Sequence, residues 1–538
     1  MEKQLISASD LKTLFNDNAF LLYAKRYTKK VIQEIGVSLD KPEPEYDFGQ
    51  FICSKGNNFE AKCYEHIINL NNDGDSIILS RDYKKCATSE GRKELLKRTK
   101  KCLDRKIPII FEAYLQDDEI YGFADILIRN DYMIKCIKNL PEYFIKDHKR
   151  ATSNGEYFYT IIDCKLTTIH VGVEKLNNYF MLSNHKHYFV QLAVYHRILG
   201  KLQKFNPNYS CILGHQMKVR KSILLNGDSF NAFGFFKHNS EIEEFINSGI
   251  IWIQNMRKNG GKWTLLPVPT DDRIYPKFTG KQYDGRFSSI KKAYHNKLYP
   301  NSQELEIDFP NNLQNLSLSQ KTQNLLNKDI IFCLDNENVK NIHTDSFLDL
   351  SIVGGIRAVY MIGVVLYKNN KLIERKQFIA EELTTNSVFN MYQKFNNYIM
   401  SRTNNLKNDY GIFHWHSAEL IDFRHFIKIE TRSEELQFFA DFDKSKFIDL
   451  KEIFKKEKIK VPCKGFGLKP VTKCFYKHGL IDINWEDNGM DGANSISAAV
   501  TYYTNKQKYQ HFMDIVSRYN FIDCESLWAL RTQLLKFN

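Results

Sequence analysis

The stretch Tyr159-Thr-Ile-Ile-Asp-Cys-Lys-Leu166 combines strand-forming residues with two opposite charges. Alternate side chains of a strand point to the same face, so Asp163 and Lys165 project together and Cys164 lies on the other face. Burying a carboxylate and an ammonium group costs free energy unless both groups are used. A metal ion would use the carboxylate, and a water or phosphate beside it would use the lysine. Because an isolated Asp-x-Lys pair is a weak signal, the neighbouring elements decide its meaning.

Two further strands are predicted upstream of this one, over residues 109–115 and 121–129. The acidic turn between them favours a β-hairpin. Asp125 is the only acid within the second of these strands. If that strand pairs with the strand over 158–166, Asp125 lies across from Asp163.

Two predicted helices add polar side chains to this set. Glu60 falls in the first turn of a helix that follows Gly56, where a carboxylate would also complement the helix dipole. Gln191 and Tyr195 lie four residues apart in a helix over 185–199, so they share one face. Gly200 is the predicted stop of that helix.

The order of these elements (helix acid, strand Asp, strand Asp-x-Lys, helix Gln-x-x-x-Tyr) resembles the RecB-like branch of the PD-(D/E)XK nuclease superfamily. The resemblance covers residues 7–269. It implies a catalytic set of Glu60, Asp125, Asp163, Lys165, Gln191 and Tyr195. Within that set, Glu60, Asp125 and Asp163 would bind Mg²⁺ or Mn²⁺, since these ions prefer hard oxygen ligands. Lys165 would orient the attacking water or neutralise charge on the phosphate.

Many RecB-like relatives carry four cysteines that bind an iron–sulfur cluster. This chain has no cysteine near Phe15 and no cysteine cluster after Tyr195. We therefore expect no iron–sulfur cluster.

The C-terminal part resembles the RNase H-like, DEDD-type exonuclease domain that is fused to RecB-like nucleases in predicted proteins of prokaryotes and large DNA viruses. The residues that carry this resemblance as candidate site residues are Asp349, Glu419, Tyr519 and Asp523. A typical first motif is Asp-x-Glu, but here Ser351 follows Asp349. Loss of that acid would weaken metal binding, so a catalytic domain and a degenerate, substrate-gripping domain both stay open.

The expected fold class is α/β (α+β) with two domains. Residues 1–269 would form a restriction-endonuclease-like core, a mixed sheet flanked by helices. Residues 329–538 would form the RNase H-like α/β domain. Residues 270–328, which are rich in Asn, Gln, Ser and Pro, are expected to connect them.

The net charge of +13 favours a polyanionic partner, most simply nucleic acid. Candidate contacts to it are Arg98 and Lys101, on a basic helix that begins near Thr88, and Arg129. No apolar run reaches the roughly 18 residues needed to span a bilayer. The 11 cysteines include no Cys-x-x-Cys pair. We therefore expect a cytoplasmic protein without membrane contact, or a nuclear or viral-factory protein if the source is a large DNA virus.

These observations together predict a Mg²⁺-dependent deoxyribonuclease, acting from DNA ends or on single strands, in DNA repair, recombination or replication. A helicase or a replication protein is an expected partner. Two alternatives stay open: a non-catalytic nucleic-acid-binding scaffold, and an enzyme whose activity lies in the C-terminal domain.

Overall fold

The computed structural model divides the chain into two compact units. The first unit comprises Met1–Pro42 and Cys53–Leu298, and the second comprises Glu43–Ile52 and Tyr299–Asn538. The residues that the structure describes are 4–37, 46–71, 75–137, 140, 142–153, 157–173, 179–181, 186–219, 222–224, 232–277, 287–299, 317–339, 358–463, 465–485 and 490–536. The predicted domain limits at 269 and 328 remain predictions.

The first unit surrounds a mixed sheet with helices. Its described strands are β1 (Ile6–Ser7), β2 (Ser76–Ile78), β3 (Ile109–Gln116), β4 (Ile120–Arg129), β5 (Tyr159–Val173), β6 (Tyr179–Met181), β7 (Tyr209–Val219), β8 (Ser222–Leu224) and β9 (Ala232–Lys237). Its described helices are α1 (Ala8–Phe15), α2 (Ala19–Arg26), α3 (Thr28–Ile35), α4 (Phe48–Leu70, which belongs to this unit from Cys53 onward), α5 (Ser89–Asp104), α6 (Asn130–Cys136), α7 (Glu142–Ser153), α8 (Lys186–Gln203), α9 (Ser240–Asn259) and α10 (Phe287–Leu298).

The predicted hairpin is confirmed, because β3 and β4 pair antiparallel across a short acidic turn. Strand β4 also pairs antiparallel with β5, with Ile126 opposite Ile162. That register brings Asp125 next to Asp163, as the sequence predicts. On its other side β5 pairs parallel with β7.

Both faces of this sheet are buried, which explains the nearly continuous apolar runs in its strands. Ile161 packs in one core with Leu11 of α1 and Leu192 of α8. The adjacent Ile162 faces the opposite way and packs in a second core with Phe59 of α4. The first unit therefore consists of helical layers on either side of a central sheet.

Two predicted helix ends are wrong. Helix α4 begins at Phe48, so Glu60 lies in its interior and not in a first turn. Its start is marked by Asp47, whose Oδ1 accepts a 2.9 Å hydrogen bond from the backbone N–H of Gln50. Helix α8 continues past Gly200 to Gln203, and the glycine leaves room there for the side chain of Asn206.

The second unit also has a central sheet covered by helices. Its described strands are β10 (Ile330–Val339), β11 (Ala358–Lys368), β12 (Lys371–Ile379), β13 (Tyr410–His414) and β14 (Phe447–Asp449). Its described helices are α11 (Gln320–Leu326), α12 (Thr385–Arg402), α13 (Ala418–Ile429), α14 (Gln437–Ala440), α15 (Leu450–Lys456), α16 (Leu468–Lys477), α17 (Gly492–Thr504) and α18 (Gln510–Lys536).

The sheet of the second unit has the order β12-β11-β10-β13-β14. The first three strands are antiparallel neighbours, and β13 and β14 add in parallel. Asn369 and Asn370, at φ 50° and 60°, form the tight turn between β11 and β12. Alternate residues of β10 face different cores, since Ile331 packs with helix α18 residues such as Leu527, and Phe332 packs with α12 residues such as Phe395. The fold class is thus confirmed as mixed α/β with two mixed sheets flanked by helices.

Within the described residues, every helix is too short or too polar to cross a lipid bilayer.

Candidate functional site

Three carboxylates of the second unit, here called the Asp335 cluster, converge on one point. Asp335 and Glu337 lie two residues apart on β10 and therefore share a face of the sheet. Asp523 reaches the same point from α18. One carboxylate oxygen of each residue lies within 4.8 Å of the others, so in the described part of the chain these three side chains are already close enough to share a metal ion.

Each carboxylate of the cluster is oriented by a neighbouring donor. The side-chain amide of Asn520 donates a 2.9 Å hydrogen bond to Oδ2 of Asp335. The hydroxyl of Ser495 donates to Oε2 of Glu337 over 2.7 Å, and Nε1 of Trp485 donates to Oδ1 of Asp523 over 3.1 Å. Such outer partners fix the direction in which a carboxylate presents its free oxygen.

Burial and mutual repulsion make these acids hard to ionise without a cation. Burial raises the pKa of Glu337 to about 8, and the charges of Asp523 and Glu419 add to the effect. Burial likewise raises the pKa of Asp523 to about 7, although Lys469 opposes the shift. The pKa of Asp335 is raised by burial and by the charge of Asp523. Crowded, buried carboxylate oxygens fit a hard divalent cation such as Mg²⁺ or Mn²⁺.

Glu419 and Tyr519, both predicted as site residues, lie at the edge of this cluster. Glu419 is buried in the first turn of α13, and its Oε2 is 3.5 Å from Nδ1 of His414. Burial lowers the pKa of His414, but the hydrogen bond and the charge of Glu419 outweigh burial and raise it overall. Tyr519 lies one helical turn before Asp523 and hydrogen-bonds to it. The ammonium of Lys469 lies 5.3 Å from the centre of the Tyr519 ring.

Asp335 and Glu337 are the site residues that sequence reasoning missed. The sequence analysis placed the first motif at Asp349, and the apolar run of β10 stops at Leu334, just before Asp335. Asp349 and Ser351 lie outside the described residues. The available signal was the Asp-x-Glu spacing itself, which follows directly on the buried run of β10.

In the first unit, Asp125, Asp163 and Lys165 come together and are called the Asp163 site below. The Lys165 ammonium is 2.7 Å from Oδ2 of Asp163 and 3.6 Å from Oδ2 of Asp125. The backbone N–H of Cys164 also donates to Oδ2 of Asp125 over 2.7 Å. Asp163 is fully buried, and burial raises its pKa to about 7 although Lys165 opposes the shift.

Gln191 and Tyr195 border this site from α8, as their spacing predicts. Nε2 of Gln191 donates a 2.7 Å hydrogen bond to the hydroxyl of Tyr195. Gly122 makes room for that ring, because a Cβ there would lie 2.4 Å from Cε1 of Tyr195. Lys12 of α1, which was not predicted, donates to Oε1 of Gln191 over 3.4 Å. Burial and the charge of Lys165 lower the pKa of Lys12 to about 8.

Glu60 reaches the site through an arginine that sequence reasoning also missed. Nη2 of Arg81 donates to Oδ1 of Asp125 over 2.6 Å and also binds Oε1 of Glu60. Nη1 of Arg81 donates to Oε2 of Glu60 over 3.2 Å, and the Tyr64 hydroxyl donates to Oε1. Burial and the charge of Asp125 raise the pKa of Glu60. No sequence spacing signals Arg81, because it follows a short edge strand.

The three predicted nucleic-acid contacts differ in their surroundings. Arg98 donates a 2.6 Å hydrogen bond to the carbonyl of Leu79, and Arg129 forms a 2.7 Å ion pair with Asp131. Both arginines therefore have structural partners. Lys101 is exposed on α5. Their role in binding nucleic acid remains a prediction.

Comparison with known proteins supports the second unit's assignment. The family model of the RNase H superfamily matches residues 351–535. The C-terminal part of the chain is thus an RNase H-like domain, a fold of the nuclease type that processes nucleic acids. The match starts after β10, so Asp335 and Glu337 lie outside it. No curated protein and no solved structure matches the chain significantly. The RecB-like interpretation of the first unit remains a prediction.

Proposed function

We propose that this protein is a metal-dependent nuclease whose Asp335 cluster hydrolyses phosphodiester bonds. The observation that carries the proposal is the convergence of three carboxylates, those of Glu337 and Asp523 buried and that of Asp335 half-buried, within 4.8 Å of one another in an RNase H-like domain. Burial of several acids without an equal number of cations is costly, and it is typical of sites that perform chemistry.

Asp335, Glu337 and Asp523 would hold the cations, Mg²⁺ or Mn²⁺. Bound there, a divalent cation lowers the pKa of water and neutralises charge that develops on the phosphate. Asn520, Ser495 and Trp485 keep the three carboxylates pointed at the shared position. The remaining candidate groups, Glu419, Tyr519 and Lys469, would contact the substrate or the attacking water from the edge of the cluster.

The substrate we propose is DNA, cut from an end or as a single strand, in repair, recombination or replication. The net charge of +13 supports a polyanionic substrate. The choice between DNA and RNA is decided by offering both, each end-labelled and in single- and double-stranded form.

The test is cleavage by the full chain in the presence of Mg²⁺ or Mn²⁺. We expect Asp523→Asn to lower the rate on the order of a hundredfold or more, because one oxygen ligand is lost. Asp482→Asn, at an exposed aspartate of the same unit, is the matched control and should leave the rate unchanged. Metal-dependent cleavage that survives Asp523→Asn would refute the assignment to this cluster.

The Asp163 site supports a second candidate activity, a RecB-like nuclease. The specific observation is that Lys165 contacts both Asp163 and Asp125, as an acid-lysine catalytic centre requires. Loss of cleavage on Asp163→Asn, with Asp523→Asn still active, would select this site. Salt-sensitive DNA binding by a wild-type protein that never cleaves would instead favour a non-catalytic scaffold.

A further inference from the structure

The two acidic sites differ in what neutralises them. In the described part of the first unit, the acids Glu60, Asp125 and Asp163 are matched by three protein cations, which are Arg81, Lys165 and Lys12. The Asp335 cluster and Glu419 bring four carboxylates together, with Lys469 and His414 nearby. The charges of these acids are therefore balanced by cations of the protein itself, and the guanidinium of Arg81 binds two of the three acids, Glu60 and Asp125.

The contacts of Arg81 use the carboxylate oxygens that a metal ion would need. Its guanidinium binds both oxygens of Glu60 and Oδ1 of Asp125, while Oδ2 of Asp125 accepts from the backbone of Cys164. The side chain of Arg81 is only 19% exposed. Charge-assisted hydrogen bonds of this kind are the strong ones in proteins. A divalent cation and a guanidinium repel each other, so they compete for these oxygens.

The backbone around Arg81 is built to place it there. Ser80 has φ 63° and Glu112 has φ 57°, a left-handed conformation that residues other than glycine rarely adopt. The pairing of β3 with β4 is interrupted at Glu112. The Oε2 atom of Glu112 accepts a 2.7 Å hydrogen bond from the backbone N–H of Arg81. Arg98 of α5 holds the carbonyl of Leu79 from the other side. Such conformations persist where the surroundings enforce them, and they concentrate at functional sites.

We propose that Arg81 competes with a divalent cation for Glu60 and Asp125 and thereby sets the metal affinity of the Asp163 site. The inference rests on the second candidate activity given above. The site takes the cation only when Arg81 releases these acids. A phosphate group of nucleic acid has the charge and the geometry to bind the guanidinium of Arg81 once it leaves these acids.

Metal binding, measured without any cleavage, tests this proposal. Mn²⁺ is titrated calorimetrically into the full chain carrying Asp335→Asn and Asp523→Asn, which disable the other cluster. Adding Arg81→Met should strengthen Mn²⁺ binding by about tenfold or more, since the competing hydrogen bonds are gone. Adding Asp125→Asn to that variant should abolish the gain.

The matched control is Arg257→Met, which removes another partly buried arginine of the first unit from its ion pair with Asp10. It should leave Mn²⁺ binding unchanged. Equal or weaker binding by a cooperatively folding Arg81→Met variant would overturn the proposal. If Arg81→Met does not fold, Arg81→Lys is the deciding variant. A single ammonium group cannot bind both acids as the guanidinium does, so Arg81→Lys should strengthen Mn²⁺ binding by a smaller factor. Unchanged Mn²⁺ binding in Arg81→Lys would equally overturn the proposal. A failure of the Asp335 cluster to bind metal would appear separately, as equal Mn²⁺ titrations of the wild-type chain and of the chain carrying Asp335→Asn and Asp523→Asn.

Discussion

At the scale of single residues, Gly363 shows how the Asp335 cluster depends on space. Gly363 lies opposite Asp335 in the sheet, and a Cβ there would lie 1.8 Å from Oδ1 of Asn520. Asn520 is the residue that holds both the side chain and the carbonyl of Asp335. The absence of one side chain thus permits the contact that orients a proposed metal ligand.

We predict that Gly363→Ala destabilises the protein by about 1–3 kcal/mol, because the methyl group displaces Asn520 in a packed interior. Mn²⁺ binding should weaken together with stability, since Asp335 loses its orienting donor. Urea unfolding and Mn²⁺ titration measure the two effects. Gly492→Ala is the control, because a Cβ at Gly492 meets no atom within 4 Å. Unchanged stability and metal binding in Gly363→Ala would show that Asn520 does not orient Asp335.

Residues with a local pattern were predictable from the sequence, and residues defined by distant contacts were not. Gln191 and Tyr195 follow helical spacing, and their hydrogen bond is present. Arg81 lies 21 residues from Glu60 and 44 from Asp125, and nothing local marks their meeting. Glu337 is a buried acid at the end of an apolar strand, where a pattern of hydrophobic residues indicates that the strand has already ended.

At the scale of elements, β10 and α18 carry the three acids and should make stability depend on pH. Carboxyl groups have an unfolded pKa of about 4, whereas the pKa is about 8 for Glu337 and about 7 for Asp523 in the fold. Between about pH 4 and these higher pKa values, the folded state therefore binds more protons than the unfolded state. Without metal, the contribution of these two groups to the free energy of unfolding is greatest below about pH 4. That contribution is lost as the pH rises through about 7 to 8.

The measurement is thermal unfolding in a chelator from pH 5 to 8.5. We expect the wild-type midpoint to fall across this window relative to Asp523→Asn, which removes one titrating acid and its repulsion of the other two. The difference in unfolding free energy should be on the order of 2–4 kcal/mol. Saturating Mn²⁺ should reduce the fall, because a bound cation favours the ionised acids. Parallel profiles for wild type and variant would contradict the raised pKa of Asp523.

Elements were predicted best where turn chemistry and periodicity agree. The β3–β4 hairpin was predicted from its acidic turn, and Asn369-Asn370 is a turn signal of the same kind between β11 and β12. The start of α4 was missed because Gly49 and Gly56 suggest a loop, although Asp47 and Gln50 form an N-terminal capping pattern. The second half of the helix is buried, with Phe59, Cys63 and Ile67 in the core, and the helix extends from there back through both glycines.

At the scale of the whole molecule, part of the excess of 13 positive charges lies on the exposed face of α5. Lys97, Lys100 and Lys101 are exposed on this helix. Arg98 of the same helix binds the carbonyl of Leu79, two residues before Arg81. Helix α5 thus carries both exposed lysines and the arginine that holds the segment before Arg81.

We predict that replacing Lys97, Lys100 and Lys101 with glutamine weakens binding of single-stranded DNA and makes it less sensitive to salt. Each phosphate contact contributes a slope of about 0.7 to the dependence of log Kd on log salt for single strands, so three lost contacts should lower the slope by about 2. Fluorescence anisotropy between 50 and 300 mM salt measures both quantities. The matched control replaces Lys368, Lys371 and Lys376, which are exposed on the β11–β12 hairpin and give the same change in net charge. An equal loss in both triple variants would mean that overall charge, and not the surface of α5, determines binding.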